Sequence, residues 1–168
     1  MADTKKYAVI RTDLMSGTKQ PADLVSFRFY DAEDKPAEVE NGTIVELKGL
    51  EDGEREVYKA VAATASSKLT DCVVAAGVEV MYDERKKNLE EYVNEAGKIV
   101  RGYVLRSRNV FSLTPEGFDG DAPAKDATVG IGANGKLKAG ATGFGVCTHV
   151  EQAGRHEYHA IRIGVTEA

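Results

Sequence analysis

Along most of the chain, short runs of alternating apolar and polar residues are each closed by a glycine or by an Asn-Gly or Asp-Gly pair. In residues 24–31, Val25, Phe27 and Phe29 alternate with Ser26, Arg28 and Tyr30, the period of a strand with one buried face. Asn41-Gly42 opens TIVELKGL, and Asp52-Gly53 separates it from EREVYKAVA. Both dipeptides favour tight reversals, because their residues tolerate positive φ. The run DCVVAAGVEVMYD is apolar over most of its length. Its Val78, Val80 and Tyr82 share one face, and Gly77 marks a bulge or a close backbone approach. KIVRGYVL and NVFSLT supply two further strands before Pro115 and Gly117 end the pattern.

One stretch departs from this period. From Asp83 to Ala96 the sequence is rich in Glu and Lys, with Leu89, Tyr92 and Val93 at helical spacing. It predicts a single short α-helix over about 84–96, with Asp83 as N-cap and Gly97 as the closing residue. Its narrow apolar stripe would lie against a sheet.

Beyond Pro115 the composition becomes glycine-rich up to Gly145. There DATVGIG and KLKAG flank Asn134-Gly135 as a candidate hairpin. FGVCTHVE and RHEYHAIRI form a second, with Gln152-Ala153-Gly154 as its loop. That register sets Glu151 opposite Arg155, a cross-strand pair worth about 0.2–1 kcal/mol. No repeat of propeller or solenoid length is evident. The expected fold is mainly β, built of β-barrel or sandwich modules with one short helix. Two units are expected: a β-rich domain over 1–114 and a Gly-rich β-hairpin subdomain over 115–168.

Charge narrows the function classes. The 168 residues carry a formal net charge of −5, which disfavours a sequence-independent nucleic-acid binder. Arg101, Arg106 and Arg108 form a basic cluster in sequence, read as a solvated strand end. Cys72 and Cys147 stand in apolar contexts and read as two buried free thiols of a reducing compartment rather than a disulfide framework. MADTKKYAVIRTD has no apolar core for a signal peptide, and no run is long enough for a membrane helix. Cytoplasmic synthesis and no membrane partner are therefore expected. Asn41-Gly42-Thr43 matches a glycosylation acceptor but reads as a turn.

Candidate chemistry fails on context. Gly130, Gly132 and Gly135 fit G-x-G-x-x-G, and Lys136 nearly completes a phosphate-binding loop. Such loops need a helix directly after them, and Leu137 to Gly143 is too glycine-rich to hold one. His156 and His159, at i and i+3, fall on opposite faces of a strand and cannot converge on one metal without distortion; His149 could face one of them across the hairpin, but no Cys or carboxylate pattern completes a site. Asp119, Asp121 and Asp126 miss the calcium-loop spacing, with Pro123 at a ligand position. No nucleophile elbow is present. No catalytic, cofactor-binding or metal residue is assigned, and an enzyme is not expected. Residues 82–87 (YDERKK) read as a helix start that could also serve as a contact patch.

Three blocks of the chain, YAVIRTDLMSGT, VENGTIVELKGLEDGEREVYKA and VEVMYDERKKNLEEYVNEAGKIVRGYVL, resemble head decoration (cement) proteins of tailed bacteriophages and prophages of Gram-positive bacteria. The likeness covers roughly residues 7–114 and is weaker beyond. It implies a β-rich virion protein on the capsid exterior, with the major capsid protein as partner, acting as a homo-oligomer such as a trimer. By the same analogy, the N-terminal segment to Gly17 and the Gly-rich loops would be contact arms. No direct nucleic-acid contact is implied. The alternatives are a phage tail or head-connector component, or a small-ligand or carbohydrate-binding β module.

Overall fold

The computed structural model describes residues 6–15, 23–83, 85 and 88–164. It is mainly β, with ten strands among the described residues: β1 (Leu24–Tyr30), β2 (Ile44–Leu50), β3 (Val57–Ala62), β4 (Cys72–Ala75), β5 (Val100–Val104), β6 (Val110–Leu113), β7 (Thr128–Ile131), β8 (Leu137–Ala139), β9 (Gly145–Ala153) and β10 (His156–Ile163). The first five close into a barrel of order β1-β3-β2-β4-β5, in which β1 runs parallel to β3 and antiparallel to β5. The other five form a second sheet of order β6-β10-β9-β7-β8.

The two sheets share a wall. Phe27, Val39, Val45, Ala60, Val73, Ala75 and Val100 fill the barrel. Ile44, Cys72, Val74 and Ala76 face the opposite way, into a second core with Phe111, Leu113, Leu137, Phe144 and Ile161. β4 is therefore buried on both faces, which is why it reads as an unbroken apolar run rather than an alternating one. Phe111 and Phe144 meet edge to face at 6.1 Å in the second core.

The junction is tight at one glycine. A Cβ on Gly135, at φ +73°, would stand 2.3 Å from the Ile44 carbonyl oxygen, so the β7–β8 turn seats its backbone directly on β2. Beside it, Lys136 Nζ pairs with Glu40 Oε2 at 3.1 Å and donates to the Glu116 carbonyl at 2.9 Å.

The helix expected over about 84–96 does not form. Among the described residues of that stretch, Leu89–Glu91 make one 3-10 turn and the chain then runs extended. Long-range bonds take the place of the helical ladder. Asn94 and Val39 exchange both backbone N–H···O bonds at 3.1 Å, and the Tyr7 N–H donates to the Glu90 carbonyl. A helix of this length is marginal by itself in water, so these tertiary bonds outweigh its propensity.

The terminal hairpin forms with a different register from the one expected. Its turn is the two-residue Gly154-Arg155, with Gly154 at φ +63°, and it pairs Ala153 with His156 and Glu151 with Tyr158. A two-residue turn with glycine first suits the strand twist better than a three-residue loop. Arg155 instead donates to Asn88 Oδ1.

Candidate contact surface

The segment following β4 changes character at Gly77. Cys72 to Ala76 are buried, whereas Val78, Val80 and Tyr82 are 59%, 52% and 93% exposed. The strand expected through them stops at Ala75, the Val80 N–H donates to the Val78 carbonyl, and all three side chains are turned to solvent. Ile99, 53% exposed and brought from the approach to β5, joins them. Together with Tyr92, Val93, Lys98, Glu95 and Asp83 they border a groove of about 340 Å³. Exposed single apolar residues are ordinary; these four line one groove.

A buried polar knot holds this strip in place. Asn41 is 1% exposed, and its Oδ1 accepts from the Gly77 N–H at 2.8 Å and from Asn94 Nδ2 at 2.9 Å. Its Nδ2 donates to the Gly77 carbonyl at 3.1 Å. The Tyr92 hydroxyl donates to Asn94 Oδ1 at 3.0 Å. A Cβ on Gly77 would lie 1.9 Å from Asn94 Oδ1, so this glycine permits the close backbone approach anticipated from its position. Asn41 sits in a turn and spends its amide internally, so it is not an accessible acceptor for glycosylation. Local sequence could not show that Asn94 belongs to this knot, because its partner is 53 residues away.

The residues weighed for chemistry lie apart. Gly130, Gly132 and Gly135 belong to the β7–β8 hairpin, whose loop closes by the Gly132 N–H donating to the Lys136 carbonyl. The buried His159 has Nδ1 2.9 Å from the Pro123 carbonyl and Nε2 3.0 Å from Glu157 Oε1. His156 lies 3.9 Å from Glu90, and the exposed His149 lies 4.0 Å from Glu151. No group of three metal-binding side chains converges among the described residues. Asp119 accepts from the Ala133 N–H, while Asp126, at φ +67°, donates its own N–H to the Cys147 carbonyl.

The three arginines are separately engaged. Arg101 donates to the Ala76 carbonyl and lies over Tyr103, Arg106 pairs with buried Asp23, and Arg108 occupies a turn at φ +71°. Both cysteines are buried free thiols, and burial pushes the Cys72 thiol up to about 12, away from reactive thiolate chemistry.

The N-terminal stretch does not form a contact arm in residues 8–10. Ala8, Val9 and Ile10 are buried, the Val9 N–H donates to Thr114 Oγ1 at 3.2 Å, and Ile10 bridges to Leu113. Residues 1–5 and 16–17 lie outside the described residues.

A second groove, about 770 Å³, opens between the barrel and the β7–β8 turn. Its walls include Phe29, Val39, Val61, Asp31 and Glu38. Two of its carboxylates, Asp34 and Glu40, are held by Lys59 and Lys136.

Fold and surface together define a barrel-plus-sheet β protein with an exposed apolar strip. No helix among the described residues is long and apolar enough to cross a membrane. No protein-family model matches the chain, and neither a curated protein nor a solved structure matches it.

Proposed function

We propose that this is a capsid decoration protein, which binds the outer surface of a phage head and stabilises the shell by contact with the major capsid protein. The observation that carries the reading is the exposed strip of Val78, Val80, Tyr82 and Ile99, which lies within a sequence block that resembles such proteins. Burying a strip of this kind against a capsid subunit would supply affinity, and the knot beneath it supplies preorganisation. Shape and apolar contact suffice for the task, which requires no chemistry. Its place would be the capsid exterior, after synthesis in the host cytoplasm.

The test is reconstitution. Purified protein is added to heads that lack it, and bound copies are counted against capsid subunits. Stoichiometric binding is expected for the native chain, and loss of binding with unchanged thermal unfolding for Val80→Ser/Tyr82→Ser. Recovery from particles only at tail or connector copy number would overturn the reading. So would binding of a glycan but not of heads.

A further inference from the structure

The chain holds two Asn-Gly pairs, Asn41-Gly42 and Asn134-Gly135, while its other asparagines precede Leu89, Glu95 and Val110. Asn-Gly is the dipeptide most prone to deamidation, because glycine leaves its own backbone nitrogen unshielded against the asparagine side chain. The two pairs stand in opposite surroundings. Asn41 is 1% exposed, its amide is spent on Gly77 and Asn94, and the Gly42 N–H donates to the Ala75 carbonyl at 2.7 Å. Asn134 is exposed at the tip of the β7–β8 hairpin, and its side chain makes no hydrogen bond among the described residues.

The folded turn is shut to the reaction. Asn134, at φ 54° and ψ 31°, and Gly135, at φ 73°, are its central residues, and the Lys136 N–H closes it by donating to the Ala133 carbonyl at 3.0 Å. Positive φ at both positions is the type I′ pattern. At that ψ the Gly135 nitrogen lies nearly anti to the Asn134 Cβ, turned away from Cγ. Ring closure requires the 134–135 peptide to swing through most of a half-turn. Gly135 is seated too closely on β2 for that swing, since a Cβ there would already stand 2.3 Å from the Ile44 carbonyl oxygen.

Only a turn lifted off β2 can react. Lifting breaks the Lys136 contacts with Glu40 and with the Glu116 carbonyl. Freeing Asn41 instead requires the buried knot to open. Opening an exposed turn takes less free energy than stripping buried polar groups of their partners.

We propose that Asn134 is a self-modification site, at which lifting of the β7–β8 turn is captured by deamidation and made irreversible. The Gly135 nitrogen, on losing its proton, attacks Asn134 Cγ. The bond from Cγ to the amide nitrogen breaks, and ammonia leaves carrying the proton. The cyclic imide then takes up one water, with no change of oxidation state. Hydrolysis at Cγ gives aspartate. Hydrolysis at the backbone carbonyl gives isoaspartate, whose main chain runs through the side-chain methylene. Aspartate keeps a two-residue turn and tolerates its positive φ, whereas the methylene of isoaspartate lengthens the turn and unseats Gly135 from Ile44. Either product adds a carboxylate to the second groove, which Asp31, Glu38 and Asn134 all line. The proposal is independent of capsid binding.

The experiment is ageing of the full chain in mildly alkaline heavy-oxygen water, followed by peptide mapping, with a parallel sample unfolded in denaturant. In denaturant the two pairs should convert at similar rates. In the folded chain Asn134 should convert more than about tenfold faster than Asn41. Chains bearing isoaspartate should lose hydrogen-exchange protection at the Gly132 and Lys136 amides, whose bonds close the loop. Asn134→Gly suits the same turn and should keep both native unfolding and its protection on ageing. Freshly prepared Asn134→Asp should also unfold like the native chain, which assigns the loss to the methylene and not to the charge. Equal conversion of the two pairs in the folded chain, or none at Asn134, overturns the proposal. So does native protection in isoaspartate-bearing chains, or an equal loss when Asn134→Gly is aged.

Discussion

In the barrel every strand has two neighbours, because β1 closes the ring by pairing with both β3 and β5. In the second sheet, edges remain and are covered piecemeal. Residues 9–11 lie along β6, and Phe118 and Asp119 lie along β8, where the Asp119 N–H donates to the Leu137 carbonyl. Among the described residues, the outer parts of β9 and β10 have neither treatment. Closure satisfies backbone groups without help, whereas an open sheet leaves some to be met by loops, water or another chain. The barrel is accordingly the self-sufficient half, and its neighbour supplies the unfinished edge.

The strongest way to break this contrast is from inside the barrel. Phe27 is fully buried, and Phe27→Ala should cost about 3–5 kcal/mol, measured by denaturant unfolding. The loss should abolish protection of β4 and of the second sheet together, because β2 and β4 wall both cores. Independent melting of the two sheets would refute the shared wall.

A smaller loss is expected at the knot. Asn41→Ala leaves the Gly77 N–H without its acceptor and takes from Asn94 Nδ2 one of its two, the Val39 carbonyl remaining, at about 1–3 kcal/mol for each buried group so orphaned. Exchange at Gly77 should rise first.

Acid sharpens the contrast on the barrel's outer face. Hydrogen bonds from Tyr30 and Arg28 hold the Glu51 carboxyl below its ordinary range, and the Lys48 and Ser67 bonds do the same for Glu46. A carboxylate depressed in the folded state contributes stability above its unfolded pKa and loses it as pH falls through the folded value. Melting temperature should therefore drop below about pH 4, and Glu51→Gln should flatten that drop. An unchanged pH profile in Glu51→Gln would remove the Tyr30–Glu51–Arg28 cluster from the account.

The least effect on stability is expected at the strip. Tyr82→Ser should change unfolding by no more than about 0.5 kcal/mol, because the side chain is 93% exposed. A marked destabilisation would mean that Tyr82 packs within its own chain.

Much of the fold was legible in the sequence. The alternation in LVSFRFYD, the Asp-Gly and Asn-Gly reversals and the hairpin around Asn134-Gly135 all reappear, since strand period and turn chemistry are local properties. The end of the strand at Ala75 and the exposure of Val78, Val80 and Tyr82 were not legible. Whether an apolar residue in residues 72–82 meets the barrel interior, the second core or solvent depends on what packs against it from far along the chain. Likewise, the parallel contact of β1 with β3 and the recruitment of Asn94 to Asn41 rest on residues distant in sequence, as does the open edge of β9. Local pattern determined which residues form strands and turns. Tertiary contacts decided which helix-prone stretch stayed extended, because two bonds to Val39 and one to Tyr7 outweigh a propensity that no packed face supports.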